Sequence, residues 1–172
     1  MGVESALVVP VPSAGNVVRL LRRVFDPTAR DGLPPHVTVL GPFRDPADLD
    51  AAGLAELAAA VGSVRSFAYR LSRIGWFDDR VVYLAPEPAE GFIQLTEAVV
   101  RRFPDHLPYG GAFGSSVPHL SIGIGGPAPA LRVAARLVAP RLPIDAVASN
   151  VQLMSHEPGR RPWRVDREFA LG

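Results

Sequence analysis

The 172-residue sequence contains no cysteine, which excludes disulfides, thiolate nucleophiles, iron–sulfur ligation and cysteine-based zinc sites. Lysine is absent as well, since all 18 basic residues are arginine. Schiff-base chemistry, a lysine general base and the Walker-A phosphate loop are excluded with it. Any anion held here is held by arginine, hydroxyls, backbone N–H groups or protonated histidine. An excess of one charge is also missing. A formal net charge of +1 gives no global field for a polyanion or an anionic membrane, but leaves room for a small anionic substrate or a short RNA segment held locally. The apolar run of the N-terminal segment Met1–Gly15 is interrupted by Pro10 and Pro12 and follows no basic segment. It reads as neither signal peptide nor membrane span, so a soluble cytoplasmic protein with no membrane partner is expected.

What is present is globular in character: 48% apolar and 20% charged residues, in a length that suits one domain. The 16 glycines and 18 prolines fall between apolar runs as turn punctuation. Ala6–Val11 reads as a buried strand. A helix follows, N-capped by Ser13 and running to about Phe25, with Val17, Val18, Leu21, Val24 and Phe25 on one face. Pro34-Pro35 leads into the alternating strand His36–Leu40. Asp45-Pro46 starts a second helix, with Leu49, Leu54, Leu57, Ala58 and Val61 as its stripe until Gly62. A third strand runs from Phe67 to about Ile74.

The order strand, helix, strand, helix, strand then recurs. Val81–Leu84 is a strand, and Phe92, Leu95, Val99 and Phe103 mark a helix with Glu90 near its start and Arg101-Arg102 at its end, as the helix dipole favours. Val117–Ile122 is the next strand and Leu131–Val138 the next helix. Ile144–Met154 reads as one extended run, and Trp163 to Leu171 alternate as a last half-buried strand. The expectation is a single domain over residues 1–172 built of two pseudo-repeats, about 5–75 and 80–172. From first strand to histidine takes about 28 residues in one repeat and about 37 in the other, the surplus lying in the Gly/Pro/Ser-rich loop Pro104–Ser116.

Two of the four histidines stand in matching contexts, Pro35-His36-Val37-Thr38-Val39 and Pro118-His119-Leu120-Ser121-Ile122. On a strand, His36 shares a face with Thr38, and His119 with Ser121, while the aliphatic residues face the other way. Imidazole and hydroxyl then lie about 6.6 Å apart along the strand, a gap that suits a phosphate. One H-x-[ST] is a chance event, and a lone strand histidine reads as structural. Two copies, each after proline and each at the same place in a repeated plan, point to chemistry. With an unperturbed pKa of about 6.5, one imidazole neutral and one protonated could act as base and acid on opposite sides of phosphorus. Thr38 and Ser121 could donate to the non-bridging oxygens. No cofactor is called for, and no spacing marks a metal site; Asp78, Asp79 and His156 are the nearest third ligands to consider. His106 reads as a loop residue and His156 as a turn residue. Phe77 and Tyr83 are candidates to stack a base, the other reading being core. Arg44, Arg73, Arg80, Arg160 and Arg161 are candidate phosphate partners or solvated surface.

The paired H-h-[TS]-h motifs resemble the 2H phosphoesterase superfamily, specifically its 2′-5′ RNA ligase-like branch. So do Pro35–Phe43, Ile74-Gly75-Trp76-Phe77, Val82–Pro86 and Trp163-Arg164-Val165, spread over most of the chain. The resemblance implies an α+β, bilobal fold: two pseudo-symmetric β-α-β-α-β halves around a central cleft across which the histidines face. It also implies action on 2′,3′-cyclic phosphates or 2′-5′ phosphodiesters without a metal, on a small nucleotide or an RNA end, with no protein partner called for. His36 and His119 match the family's catalytic histidines, and Thr38 and Ser121 its phosphate-holding hydroxyls. Ser121 departs from the commoner threonine, and Gly41 from a bulkier residue. A non-catalytic nucleotide- or RNA-end-binding module and a 2′-5′ RNA ligase are the other readings open at this point.

Overall fold

The computed structural model describes residues 2–112 and 116–172. Its strands and helices are β1 (Glu4–Pro10), α1 (Gly15–Phe25), α2 (Pro27–Arg30), β2 (His36–Leu40), α3 (Ala51–Gly62), β3 (Phe67–Phe77), β4 (Val81–Glu87), α4 (Glu90–Arg102), β5 (Leu120–Ile124), α5 (Ala128–Val138), β6 (Ile144–Ala148), β7 (Asn150–Glu157) and β8 (Arg161–Ala170). The strands form two four-stranded antiparallel sheets, ordered β2-β1-β7-β8 and β5-β4-β3-β6. Laying one order on the other matches β2 with β5 and β1 with β4, so the two strands that follow the Pro-His pairs are equivalent edges. Those edges lie next to each other.

The sheets do not follow the two halves of the sequence. β3 leaves the first half to pair between β4 and β6, and β7 and β8 return to pair beyond β1. Helices cross in the same way: α1 packs on β5 and α5, and α4 packs on β2 and α3. The main core cluster joins Val37 and Val39 of β2 to Leu120 and Ile122 of β5, and a smaller cluster of Val8, Leu33 and Met154 stands apart from it. Burying each such side chain contributes about 1.5–3 kcal/mol.

Several boundaries differ from the sequence expectations for local reasons. Pro12–Ala14 forms a single 3₁₀ turn, and α1 begins at Gly15 with no side-chain cap, so Ser13 does not cap it. Val17, Val18, Leu21 and Phe25 pack into or against the core as expected, but Val24 is 59% exposed, and Gly15 and Arg22 are buried with Val18 on the inward face. Asp45 does cap, but only the 3₁₀ turn Pro46–Asp48, through Oδ1 accepting from the Ala47 N–H at 2.9 Å. Asp50 caps α3, accepting from the Gly53 N–H at 2.8 Å. The expected single run Ile144–Met154 is two strands in different sheets, broken at Ser149. Inward positions are even before the break (Ile144, Ala148) and odd after it (Val151, Leu153). A strand of period two cannot keep both sets inside one sheet.

Candidate active site

The burial of β2 alternates as expected, with Val37 and Val39 in the core and His36 and Thr38 half-buried on the other face. In β5, Leu120 and Ile122 are buried and Ser121 is half-buried. His36 is the first residue of its strand and pairs in register with Pro10. His119 stands one residue ahead of β5, so the expected strand Val117–Ile122 starts late. Pro118 has no N–H to give a ladder, and 45%-exposed Val117 contributes no core contact.

The two imidazoles are held in the same way. His36 Nδ1 lies 2.7 Å from the Pro34 carbonyl and His119 Nδ1 lies 2.7 Å from the Val117 carbonyl. A carbonyl only accepts, so in each neutral ring Nδ1 carries the hydrogen and Nε2 is left as the basic nitrogen. The acceptor is in both cases the residue two before the histidine, across a proline. The proline ring fixes its own φ and keeps the preceding residue extended, which holds that carbonyl in place. This is the physical content of the repeated Pro-His pair.

Their surroundings differ. Around His119 stand three rings: Phe77 edge-on at 4.9 Å, Tyr83 at 5.3 Å and Tyr109 stacked at 6.4 Å between centroids. Phe77 and Tyr83 stack on each other at 4.4 Å. Tyr83 reaches this position because its register partner in β3 is Gly75; a Cβ there would collide with the Tyr83 ring. Tyr109 was not legible in the sequence beyond its lying in the Pro104–Ser116 loop. Its N–H donates to the Gly41 carbonyl at 2.8 Å, tying that loop to the end of β2, and its φ of 52° is left-handed. Gly114 and Ser115 of the same loop lie outside the described residues.

Behind His36 stands a buried ion pair. Arg22 and Asp26 are 2% and 0% exposed and meet at 2.8 Å. Arg22 Nη1 also donates to the Leu33 carbonyl at 3.0 Å, and Asp26 Oδ1 accepts from the Thr28 N–H and hydroxyl at 3.0 and 2.7 Å. Every guanidinium nitrogen and both carboxylate oxygens thus have a partner, as a buried pair requires. The pair fixes the chain at Leu33, one residue before the carbonyl that orients His36. In the sequence, Arg22 and Asp26 look like any i, i+4 pair on a helix surface; only the tertiary structure shows which face is turned inward.

Burial pushes the His36 pKa down to about 4, against the Pro34 carbonyl, which favours the charged ring; the Arg22 and His119 charges push it lower still and that of Asp26 raises it. Burial also lowers the His119 pKa, opposed by the Val117 carbonyl. The sequence expectation of one neutral and one protonated ring near pH 7 is therefore corrected for the free protein. Both rings favour the neutral form because burial outweighs the one carbonyl each has.

The remaining candidates lie elsewhere. His156 is in β7, not a turn, and is 8% exposed; it stacks on Trp163 at 4.8 Å, with Nε2 3.3 Å from Glu4. His106 is in the loop, its ring 5.2 Å from that of Phe43. Arg73 and Arg161 pair with Glu87 and Glu157, and Arg44 lies over the Phe103 ring. Among the described residues no group of three or more histidine, aspartate or glutamate side chains could hold a metal ion. No helix among them is long and apolar enough to cross a membrane.

A family model described as the 2'-5' RNA ligase superfamily matches residues 10–160. The chain belongs to this superfamily. Its fold is that of the superfamily's 2H phosphoesterase type. E. coli LigT in its apo form aligns with a TM-score of 0.59 at 19% identity, over 98% of this chain and 96% of LigT. TT0787 of Thermus thermophilus aligns with a TM-score of 0.60 at 19% identity, over 97% of each chain. LigT complexed with 3'-AMP aligns with a TM-score of 0.55 at 19% identity, over 98% of this chain and 97% of LigT. No curated protein matches the chain in sequence.

Proposed function

We propose that this superfamily member is a phosphodiesterase acting on 2′,3′-cyclic nucleotides or on cyclic or 2′-5′ phosphodiesters at RNA ends, with His36 and His119 as general base and general acid. The reading rests on one observation: two Pro-His segments, on equivalent and adjacent sheet edges, each with Nδ1 engaged by the carbonyl two residues back. That leaves two Nε2 atoms for proton transfer at one phosphorus. The neutral ring of His36, more depressed in pKa and braced by the Arg22–Asp26 pair, takes the proton from the attacking water. His119 gives a proton to the departing ribose oxygen as the P–O bond breaks. Thr38 and Ser121 donate to the non-bridging oxygens, where charge accumulates. Phe77 and Tyr83 form the wall beside His119 against which a base or ribose rests. Each proton moves to or from an imidazole, so the step as written requires no metal.

His119 must be protonated to act, and its pKa is lowered in the free protein. A phosphate anion beside the ring favours the charged form, so substrate binding raises that pKa. The dependence of kcat/KM on pH reports the free protein and is expected to fall on the alkaline side from a point below 6.5. The kcat profile reports the complex and is expected to hold to higher pH. His36→Ala and His119→Ala are each expected to lower kcat about 10²–10⁴-fold on a nucleoside 2′,3′-cyclic phosphate, with the fold retained by circular dichroism. Full activity in either variant would defeat the proposal. A binding module is the second reading, favoured by the lowered pKa of His119 in the free protein. Saturable binding of cyclic and 2′-5′-linked substrates with no product at any pH would select it, and joined product from matched RNA halves would select ligation.

A further inference from the structure

A cluster of arginines that the sequence does not single out lies along α1. Arg19, Arg22 and Arg23 occupy one side of α1 at i, i+3 and i+4. With Arg30 they line a groove of about 790 Å³ that also takes in Gly15 at the helix start and runs to Pro34 and Pro35. Pro34 supplies the carbonyl that orients His36, and Pro35 is His36's neighbour, so the groove opens beside the catalytic candidate. No aspartate or glutamate lines it. In a chain with a net charge of +1, the three of these guanidinium groups that have no carboxylate partner among the described residues, Arg19, Arg23 and Arg30, make the hollow locally positive.

Two of the four are already engaged. Arg22 is held by Asp26 and the Leu33 carbonyl. Arg30 donates to the Arg23 and Val24 carbonyls at 3.1 and 2.6 Å, where it closes the C-terminal end of α1. Arg19 and Arg23 have no carboxylate within ion-pair distance among the described residues. Arg19 folds back toward the start of the helix, where a Cβ on Gly15 would lie 3.3 Å from its Nη2. An exposed arginine normally extends into water. This one instead covers Gly15, whose N–H already donates to the Pro12 carbonyl, and keeps its planar fork of donors beside the groove.

We propose that this groove is a second phosphate subsite, in which Arg19 and Arg23 hold a phosphate of the same substrate adjacent to the one between His36 and His119. The inference rests on the two-histidine reading for the position of the reacting phosphate, but not for the anion site itself. The second phosphate can be the next phosphodiester of an oligonucleotide or a 5′-phosphate on a mononucleotide. Arginine suits either, since its planar fork pairs with phosphate through two parallel hydrogen bonds.

The test uses the variant Arg19→Gln/Arg23→Gln in three comparisons with wild type: a nucleoside 2′,3′-cyclic phosphate with no other phosphate, the same nucleotide carrying a 5′-phosphate, and a short single-stranded RNA ending in a 2′,3′-cyclic phosphate. About a tenfold loss of kcat/KM is expected for a substrate that fills the groove, with the bare cyclic nucleotide unchanged. Loss on the RNA alone identifies a backbone phosphate, and loss on both extended substrates identifies any neighbouring phosphate. Binding of a fluorescent RNA of the same length, read by anisotropy, is expected to weaken similarly, and its salt slope to fall by about 0.7, the value for one lost phosphate on a single strand. Undiminished RNA binding and an unchanged salt slope would overturn the subsite, as would an equal loss on the bare nucleotide. Absence of turnover by wild type with variant-sensitive RNA binding intact would defeat the two-histidine reading and leave the groove standing.

Discussion

The His36 side and the His119 side of this protein start from one local design and finish it with different materials. Each has a proline, a histidine whose Nδ1 meets a carbonyl 2.7 Å away, and a hydroxyl two residues on. Behind His36 the fold sets a buried ion pair and, beside it, an arginine-lined groove; around His119 it sets Phe77, Tyr83 and Tyr109. Ionic bracing fixes a backbone carbonyl without moving, whereas an aromatic wall offers faces on which a substrate can rest. The difference shows how one repeated unit comes to stand in two environments. The repeat supplies the two matching imidazoles, and the unrepeated neighbours give each different surroundings.

The hardest way to break the comparison is to remove the brace on one side. Arg22→Met strands the Asp26 carboxylate in a fully buried position, and a destabilisation of about 3–5 kcal/mol is expected. Urea denaturation measures it. Asp26→Asn/Arg22→Met, which removes both charges, is expected to recover much of the loss, since the cost lies mainly in the orphaned charge. If the single variant is as stable as wild type, the pair does not brace the Leu33–Pro34 segment.

A smaller effect is expected on the other side. Gly75→Ala drives a methyl into the Tyr83 ring, so the ring must turn from its stack on Phe77 and its contact with His119. The overpacking is expected to cost about 1–3 kcal/mol. Activity on a cyclic nucleotide is expected to fall about tenfold, mostly in KM if Tyr83 only supports the base. Unchanged KM and kcat with a displaced ring would remove Tyr83 from the substrate wall.

Much of this could be read along the chain because period-two alternation and Pro-His pairs are local signals. The strand His36–Leu40, the α4 stripe and the hydroxyl-imidazole faces all follow from residues close to one another in the chain. The features that distinguish the two sides are long-range. Nothing near Tyr109 in the sequence says that its N–H meets the Gly41 carbonyl, and nothing near Arg22 says that its helix face turns inward onto the Leu33 carbonyl. The exchange of β3 and β7 between sheets is also invisible locally, although the shift of buried parity between Ala148 and Val151 records where one sheet ends. The lowered pKa values of both rings are hidden for the same reason: an imidazole's ordinary value is a sequence property, and its desolvation is not.

The central claim is that His36 and His119 meet at one phosphate, and histidine-selective NMR titration tests it most directly. Ring resonances are followed from about pH 3 to 8, spanning both imidazoles, in the free protein and again with saturating nucleoside 3′-monophosphate. In the free protein His36 is expected to titrate at about 4 and His119 below 6.5. With ligand, both are expected to move upward together, along a single binding isotherm. A ligand that shifts one ring and leaves the other at its free value would show that the two imidazoles do not share an anion, and the account would be wrong.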